Sequence, residues 1–130
     1  MRWLVCGDRN WDDRKTMLRV LKRIAVRRSK YKGIERLIEG EAPGADWMSR
    51  DIFEHELRDY NWVIDPHPAQ WKRFGRAAGP IRNQEMLEAK PDRVLAFHND
   101  LAHSKGTRDM VQRAHLAGIP VRVIKGGRHG

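Results

Sequence analysis

The chain has 130 residues, a formal net charge of +9 at pH 7 and a sequence pI near 10.3, and this length is typical of one domain rather than two. Its 40% of hydrophobic residues lie in periodic clusters, which excludes a disordered chain, and no apolar run approaches the ~20 residues of a membrane-spanning helix. A single cysteine excludes an internal disulfide. Because Met1–Gly7 also lacks the pattern of a secretory signal, we expect a cytoplasmic protein.

Short apolar runs alternate along the chain with longer amphipathic segments. The apolar runs predict strands at 3–6, 34–38, 62–64, 94–97 and 119–124. The amphipathic segments predict four helices: one capped by Asp12 or Asp13 and ended by Gly33, one from about Gly44 to Tyr60, one from Pro80 to Lys90, and one from Gly106 to Gly118. Residues 69–79 are expected to form a polar loop.

Strict alternation of strand and helix predicts parallel strand pairing through right-handed crossovers. We therefore expect an α/β fold, a Rossmann-like three-layer sandwich with a five-stranded, mostly parallel sheet. In this interpretation residues 1–124 form a single domain and residues 125–130 a flexible tail. Trp3, Trp47 and Trp62 are expected in the core, and Cys6 is expected to be a small apolar filler of a buried strand.

Four unusual loops follow predicted strands, at 7–11, 40–46, 71–83 and 98–107. Ligands of open parallel sheets bind beyond the carboxyl ends of the strands, so these loops are expected to share one site. Loop glycines that let backbone amides approach an anion are Gly40, Gly44, Gly79 and Gly106. Loop arginines that add bidentate donors for phosphate are Arg9, Arg76, Arg82 and Arg108. The sequence therefore predicts a phosphate-binding edge of the sheet.

Several residue roles remain open at this point. Asp46 is placed either to accept hydrogen bonds from ribose hydroxyls or to cap its own helix, and each glycine is also explained as a turn residue. Aromatic side chains available to stack on a base are Trp11, Trp71, Phe74 and Phe97, with Trp71 favoured as ligand-facing. Scattered histidines and one cysteine predict no metal site, no cofactor is expected, and the dinucleotide and P-loop glycine motifs are absent.

Four loop motifs resemble those of a known family: G-D-R-N-W at 7–11, G-E-A-P-G-A-D at 40–46, W-K-R-F-G-R-A-A-G-P-I-R-N-Q-E-M-L at 71–87 and K-G-T-R-D-M at 105–110. They are similar to the YspA-type, cpYpsA-related branch of the SLOG superfamily, and the resemblance covers nearly the whole chain. It implies a Rossmann-like nucleotide-binding domain of bacterial or phage source.

Transferred to the matching positions, the resemblance implies ligand-binding roles in all four loops, for Gly7, Arg9, Gly40, Gly44, Ala45, Asp46, Gly79, Arg82, Asn83, Gly106 and Thr107. Related phosphoribohydrolases carry a catalytic glutamate where this chain has Met110, and Glu41 replaces a glycine usual in the family. Carboxylates that remain as candidates for a catalytic base are Asp109, Glu41 and Asp8.

Three functions follow from these observations, in descending order of support. The first is binding of a nucleotide or ADP-ribose-like ligand at the carboxyl edge of the sheet, as a sensor, scavenger or accessory factor. The second is an N-glycoside hydrolase acting on such a ligand, so whether the chain is an enzyme stays open. The third is nucleic-acid binding through the basic first helix. The expected partners are the small molecule, then a second copy of the chain or a nucleic acid, and no membrane.

Overall fold

The structure is a computed structural model and describes residues 1–127. Its five strands pair in parallel in the order β3-β2-β1-β4-β5: β1 (Arg2–Gly7), β2 (Arg36–Glu39), β3 (Val63–Pro66), β4 (Arg93–Phe97) and β5 (Val121–Ile124). The helices are α1 (Arg14–Arg28), α2 (Ala45–Glu54), α3 (Trp71–Phe74), α4 (Ala78–Glu88) and α5 (Gly106–Leu116). The predicted Rossmann-like α/β architecture is confirmed, with all of these strands parallel.

Two helices cover each face of the sheet. α1 and α2 pack on one face, around Val5, Leu37 and Leu95, whereas α4 and α5 pack on the other face, around Leu4 and Ile38. Leu4 and Val5 are adjacent in β1 and both are fully buried, because a strand in the middle of a covered parallel sheet is enclosed on both sides. Among the helices of residues 1–127, none combines the length and apolar character needed to cross a membrane.

The direction of winding reverses between β1 and β4. The chain passes from β1 through β2 to β3 with α1 and α2 on one face, then returns to the other side of β1 for β4 and β5. At the carboxyl end of the central pair, Gly7 is in register with Phe97. The loops after β1 and β4 diverge from this point and leave a crevice, which is the usual ligand position in such sheets.

Some segment boundaries differ from those predicted. Of the two predicted caps of α1, Asp12 and Asp13, the structure has Asp13, with the Thr16 amide donating to Asp13 Oδ1 at 3.1 Å. α2 ends at Glu54 instead of continuing to Tyr60, because His55 leaves the helical backbone conformation. The predicted polar loop at 69–79 contains α3 and a 3-10 turn at Gly75–Ala77, since Gly75 at φ +58° ends the first short helix and starts the next turn.

The segment predicted as a flexible tail is hydrogen-bonded where the structure describes it. The Gly126 amide donates to Asn99 Oδ1 at 2.8 Å, and the Gly127 amide donates to Asp13 Oδ2 at 2.7 Å. These bonds attach residues 126 and 127 to the loop after β4 and to the start of α1. Residues 128–130 lie outside the described part of the chain.

The tryptophans divide differently from the prediction. Trp3 is buried in the core and Trp62 packs against the core, as expected. Their rings stack with centroids 6.0 Å apart. Trp47 is 50% exposed, and its predicted core position is wrong: the buried stripe of α2 runs through Ala45, Ser49 and Ile52, which puts position 47 on the outer face.

Two aromatic residues predicted at the ligand edge are instead in the core. Trp11 and Phe97 are buried and pack edge-to-face at 5.5 Å. The indole Nε1 of Trp11 donates to the Asp13 carbonyl oxygen at 3.2 Å, which satisfies its polar atom inside the protein. Neither ring is available to stack on a base.

Candidate functional site

A cavity of about 620 Å³ lies in the crevice at the carboxyl ends of β1 and β4. Its walls come from the loop after β1, α3, the first turns of α4 and the segment that leads into α5. The structure brings most of the predicted binding residues to this cavity: Gly7, Arg9, Asp46, Trp71, Gly79, Arg82, Asn83, Gly106 and Thr107. Buried Cys6, Met86 and Met110 add apolar lining.

Gly40, Gly44 and Ala45 are outside the cavity lining and serve to pack the loop after β2. A Cβ at Gly44, where φ is +80°, would overlap the carbonyl oxygen of Asp8. The Ala45 amide donates to that same Asp8 oxygen at 3.1 Å. Gly44 and Ala45 hold the loops after β1 and β2 together, whereas Gly40 lies against Arg82 and Asp46. The ligand contact that the resemblance implies for these three positions stays a prediction.

Asp46 fastens the loop that precedes its own helix. Its Oδ2 accepts hydrogen bonds from the amides of Gly40 at 3.0 Å and Ala42 at 3.3 Å, while Oδ1 accepts none from residues 1–127 and the residue lines the cavity. Burial raises the pKa of Asp46 to about 6, against the lowering effect of the nearby Arg82 charge. The loop-capping role left open by the sequence is therefore present, and one carboxylate oxygen remains for a ligand.

Arg82 joins α4 to the end of β2. Its Nη1 donates to the Gly40 carbonyl oxygen at 2.7 Å, and its Nε donates to Asn83 Oδ1 at 3.1 Å. A side chain at position 40 would overlap the guanidinium group. These bonds fix the direction of the Arg82 side chain at the cavity without neutralising its charge.

Asn83 continues this polar network into α5. The buried Asn83 amide donates from Nδ2 to the Gly106 carbonyl oxygen at 3.2 Å and to Asp109 Oδ2 at 2.9 Å. Arg113 Nε donates to the same Asp109 oxygen at 2.8 Å. Asp109 thus lines the cavity as a carboxylate whose Oδ2 already accepts hydrogen bonds from Asn83 and Arg113.

Four cationic side chains line the cavity: Arg9, Arg76, Arg82 and Lys105. In the described part of the chain, none of the four forms an ion pair with an acidic residue. They come from four separate segments, namely the loop after β1, the turn before α4, α4 itself and the start of α5. Such unpaired cations favour an anionic ligand.

Trp71 provides a flat aromatic wall. It is 49% exposed, lines the cavity and carries the Arg9 guanidinium carbon 5.7 Å from its ring centroid. Phe74, which the sequence also offers as a stacking residue, is outside the cavity lining, and the Arg73 guanidinium lies over its ring. Of the predicted stacking residues, Trp71 alone is both exposed and directed at the cavity.

Asp8 and His98 face each other across the crevice, with Asp8 Oδ2 and His98 Nε2 4.0 Å apart. The Asp100 amide donates to His98 Nδ1 at 2.9 Å, so the neutral imidazole carries its hydrogen on Nε2. Asp8 Oδ1 accepts from the Asn10 amide at 2.9 Å. The third predicted catalytic candidate, Glu41, is outside the cavity and pairs with Arg50 at 2.6 Å.

Sequence reasoning missed two residues at the start of α5. Lys105 lines the cavity, and Ser104 Oγ accepts from the Thr107 amide at 3.1 Å. The signal for Ser104 was available, since serine is a preferred residue just before a helix. Arg108, predicted as a phosphate donor, is outside the lining and donates to the Ala102 carbonyl oxygen at 2.9 Å.

Glu39, at the end of β2, is a fully buried carboxyl group behind the site. Its Oε1 accepts from the Glu41 amide at 3.1 Å, while Oε2 has no hydrogen-bond partner in the described structure. Burial raises the pKa of Glu39 to about 7, and the neighbouring Asp46 carboxylate adds to the shift. A protonated carboxylic acid is therefore a major form of Glu39 at neutral pH.

Neither a reactive thiol nor a metal-binding cluster is present among the described residues of the site. Burial raises the pKa of the Cys6 thiol well above its usual range, so the thiolate is strongly disfavoured. Within residues 1–127, no group of three or more histidine, cysteine, aspartate or glutamate side chains is arranged to hold a metal ion. The groups of the site that can contact a ligand are its cations, backbone amides and carboxylates and the aromatic face of Trp71.

Comparison with known proteins finds a relative in the Gene 61 protein of Mycobacterium phage D29, which is 38% identical over 122 residues. The alignment covers 92% of this chain and 93% of the phage protein. No family profile matches the chain, and no solved structure matches it. The relative agrees with the expected phage or bacterial source. Identity at this level over nearly the full length of both proteins means that the chain belongs to the same family as the phage D29 Gene 61 protein.

Proposed function

We propose that this chain binds a nucleotide or a nucleotide-derived, ADP-ribose-like molecule in the cavity at the carboxyl ends of β1 and β4, as a YspA-type member of the SLOG superfamily. The observation that carries the proposal is the convergence of Arg9, Arg76, Arg82 and Lys105 on one cavity without ion-pair partners in the described chain. A phosphorylated ligand would form with these groups the close ion pairs that they do not form within the described chain.

The phosphate end of the ligand belongs between α4 and α5. Arg82 is held there by its bond to Gly40, and Lys105 and Gly106 lie at the start of α5. Gly106 lines the cavity, and a Cβ added to it would meet nothing within 4 Å, so the space beside this residue is open. The positive end of the α5 dipole adds to the attraction for phosphate.

The ribose and the base have complementary partners on the other walls. The unoccupied Oδ1 of Asp46 is an acceptor for a ribose hydroxyl, and the exposed face of Trp71 is a stacking surface for a base. A cavity of about 620 Å³ is within the size range of small-molecule sites and accommodates a ligand of this size.

Mass spectrometry of small molecules released from freshly purified protein, followed by calorimetry with a nucleotide panel, tests the proposal. We expect at least one binder, weakened roughly tenfold or more by Arg82→Ala and by Lys105→Ala, because each removes a charged hydrogen-bond donor. Arg73→Ala is the matched control, since Arg73 is a nearby exposed cation outside the lining. Absence of binding across the panel would show the proposal to be wrong.

N-glycoside hydrolysis is a second candidate, supported by the position of Asp8. Asp8 lines the cavity and has Oδ2 facing the His98 imidazole at 4.0 Å, whereas the carboxylates of Asp46 and Asp109 are engaged by two amides and by Asn83 with Arg113. A carboxylate beside the sugar is what such hydrolysis requires. Chromatographic detection of free base after incubation with the panel tests this activity, and intact nucleotides throughout would exclude it.

A further inference from the structure

A second concave surface, separate from the cavity, lies between α1 and the edge strand β5. This groove has a volume of about 380 Å³, and its polar lining consists of Arg19, Arg23, Arg122 and Lys125. It shares no lining residue with the cavity at β1 and β4. We call it the basic groove.

The positive charges of the basic groove are not paired with acidic side chains in the described chain. None of its lining residues is acidic, and none of its four cations forms a hydrogen bond or ion pair with an acidic side chain in residues 1–127. By contrast, Arg14 and Arg28, on the same helix, are paired with acidic residues at 2.6 to 2.8 Å. Four unpaired cations around one hollow repel each other unless an anion binds between them.

Topology explains how cations from distant parts of the chain meet. Arg122 is two residues before Ile124 in β5, so both side chains are on the face covered by α1. Arg19 and Arg23 are one helical turn apart on the exposed side of α1. β5 is the last strand of the sheet and pairs only with β4 in the described structure, which leaves the groove open along its length.

The positive charge extends beyond the groove along α1. Exposed Lys15, Arg19, Lys22, Arg23 and Arg27 lie on one side of the helix. From Lys15 to Arg27 this row spans about 18 Å at the helical rise of ~1.5 Å per residue. A row of charges of this length fits a linear polyanion better than a single phosphate group.

The apolar content of the basic groove is small. Val20 and Ile124 are buried beneath it, and Val123, the remaining apolar lining residue, lies between Arg122 and Ile124 in β5, so its side chain points to the opposite face of the sheet. Protein interfaces have an apolar centre that becomes buried on binding, whereas contacts to nucleic acid are made mainly by Lys and Arg to phosphates. We propose that the basic groove and the adjoining face of α1 bind the phosphodiester backbone of a nucleic acid, independently of the ligand in the cavity.

Fluorescence anisotropy with short labelled duplex and single-stranded DNA, at increasing potassium chloride, tests this inference. We expect binding at low salt that weakens steeply as salt increases, and a loss of roughly tenfold or more in the double variant Arg19→Glu, Arg122→Glu. The slope of log affinity against log salt is negative, and its magnitude should decrease by about 2 in that variant, roughly one unit for each phosphate contact removed. The control with the same change in net charge is Arg58→Glu, Lys90→Glu, at exposed positions outside the groove and the cavity.

Three results with DNA would overturn the proposal. These are no DNA binding at low salt, equal losses in the groove variant and the control variant, and a loss confined to Arg82→Ala, which would assign DNA binding to the cavity. Poly-glutamate of matched charge is the final comparison. If it binds as tightly as DNA and with the same loss in the groove variant, the groove recognises an acidic polypeptide and the assignment to nucleic acid is wrong.

Discussion

Arg82 and Gly40 are 42 positions apart in the chain, and Arg82 Nη1 donates to the Gly40 carbonyl oxygen at 2.7 Å. The Gly40 amide in turn donates to Asp46 Oδ2 at 3.0 Å. Both backbone polar groups of one glycine thus connect β2, α2 and α4 at the cavity wall. The contact requires a residue without a side chain at position 40, because a Cβ there would overlap the guanidinium group.

Replacement of Gly40 by alanine is therefore expected to displace Arg82. The new methyl group would also lie 3.0 Å from Asp46 Oδ2, and overpacking of this kind costs about 1–3 kcal/mol of unfolding free energy. Urea unfolding measures the cost. Gly106→Ala is the control, because its Cβ would meet nothing within 4 Å, and its effect should stay within about 0.5 kcal/mol. Equal destabilisation of the two variants would contradict this account of Gly40.

The sequence predicts which strand ends carry the site but not which loop residues contact each other. The alternation of strands and helices predicts the order of the elements. It also predicts that the loops after β1, β3 and β4 lie at the same edge of the sheet. The bond from Arg82 to Gly40 depends on the angle between α4 and the sheet, which no local pattern encodes. For the same reason the sequence does not show that Gly40 lies against the Arg82 guanidinium group or that Gly44 lies against the Asp8 and Arg9 backbone.

The predicted positions of Trp47 and of the pair Trp11 and Phe97 are wrong for related reasons. Trp47 and Met48 are both apolar and adjacent, so composition alone puts both in the core, but the helical stripe of α2 passes through Ala45 and Ile52. Trp11 follows a strand end, where polar loops are usual, yet its ring turns back to pack on Phe97. In each case the rotation of a short segment decides burial, and three-dimensional packing sets that rotation.

Asn83 is expected to be a main stabiliser of the contact between α4 and α5. Asn83→Leu keeps the size of the side chain but removes the bonds to the Gly106 carbonyl oxygen and to Asp109. A buried polar group left without its partner costs about 1–3 kcal/mol, measurable by chemical denaturation. Gln84→Leu, next in sequence and only partly buried, should cost less. If Gln84→Leu were the more damaging change, the role assigned to Asn83 would be wrong.

Glu39 is expected to make stability depend on pH. Its pKa is about 7 in the folded protein against 4.5 for a free side chain, so the folded state binds this proton more tightly and the free energy of unfolding falls as pH rises from about 4.5 to 7. Glu39→Gln removes that proton equilibrium. Relative to the unchanged protein, the variant should gain up to about 3 kcal/mol between pH 4 and pH 8.

Thermal unfolding of both proteins across this pH range gives the comparison. Glu35→Gln is an instructive control, because the ion pairs of Glu35 with Arg28 and with the chain amino group lower its pKa. Its contribution to stability is present above about pH 4.5 and is lost as pH falls below that value. With the series extended below pH 4, Glu35→Gln should therefore lose relative stability as pH rises through the acidic range, opposite in direction to Glu39→Gln and at lower pH. A pH-independent difference between Glu39→Gln and the unchanged protein would rule out the proton equilibrium at Glu39.

Asp8→Asn distinguishes a binding protein from a hydrolase. Removal of a negative charge from the cavity should leave binding of an anionic nucleotide intact or strengthen it several-fold, since opposing charge near the phosphates is reduced. If the chain hydrolyses the nucleotide with Asp8 as the carboxylate, the same variant loses turnover. Calorimetry and product chromatography on one sample separate the two effects, with Asp12→Asn as an exposed control outside the cavity.

Trp71 and Trp47 provide a matched test of base stacking. Their side chains are almost equally exposed, at 49% and 50%, and each lies near an arginine guanidinium, Arg9 for Trp71 and Arg50 for Trp47. Only Trp71 lines the cavity. Because one base stacked on an aromatic ring contributes about 1–3 kcal/mol, Trp71→Ala should weaken nucleotide binding roughly fivefold or more in calorimetry, while Trp47→Ala leaves it unchanged. Equal affinity in the two variants would show that the base does not stack on Trp71.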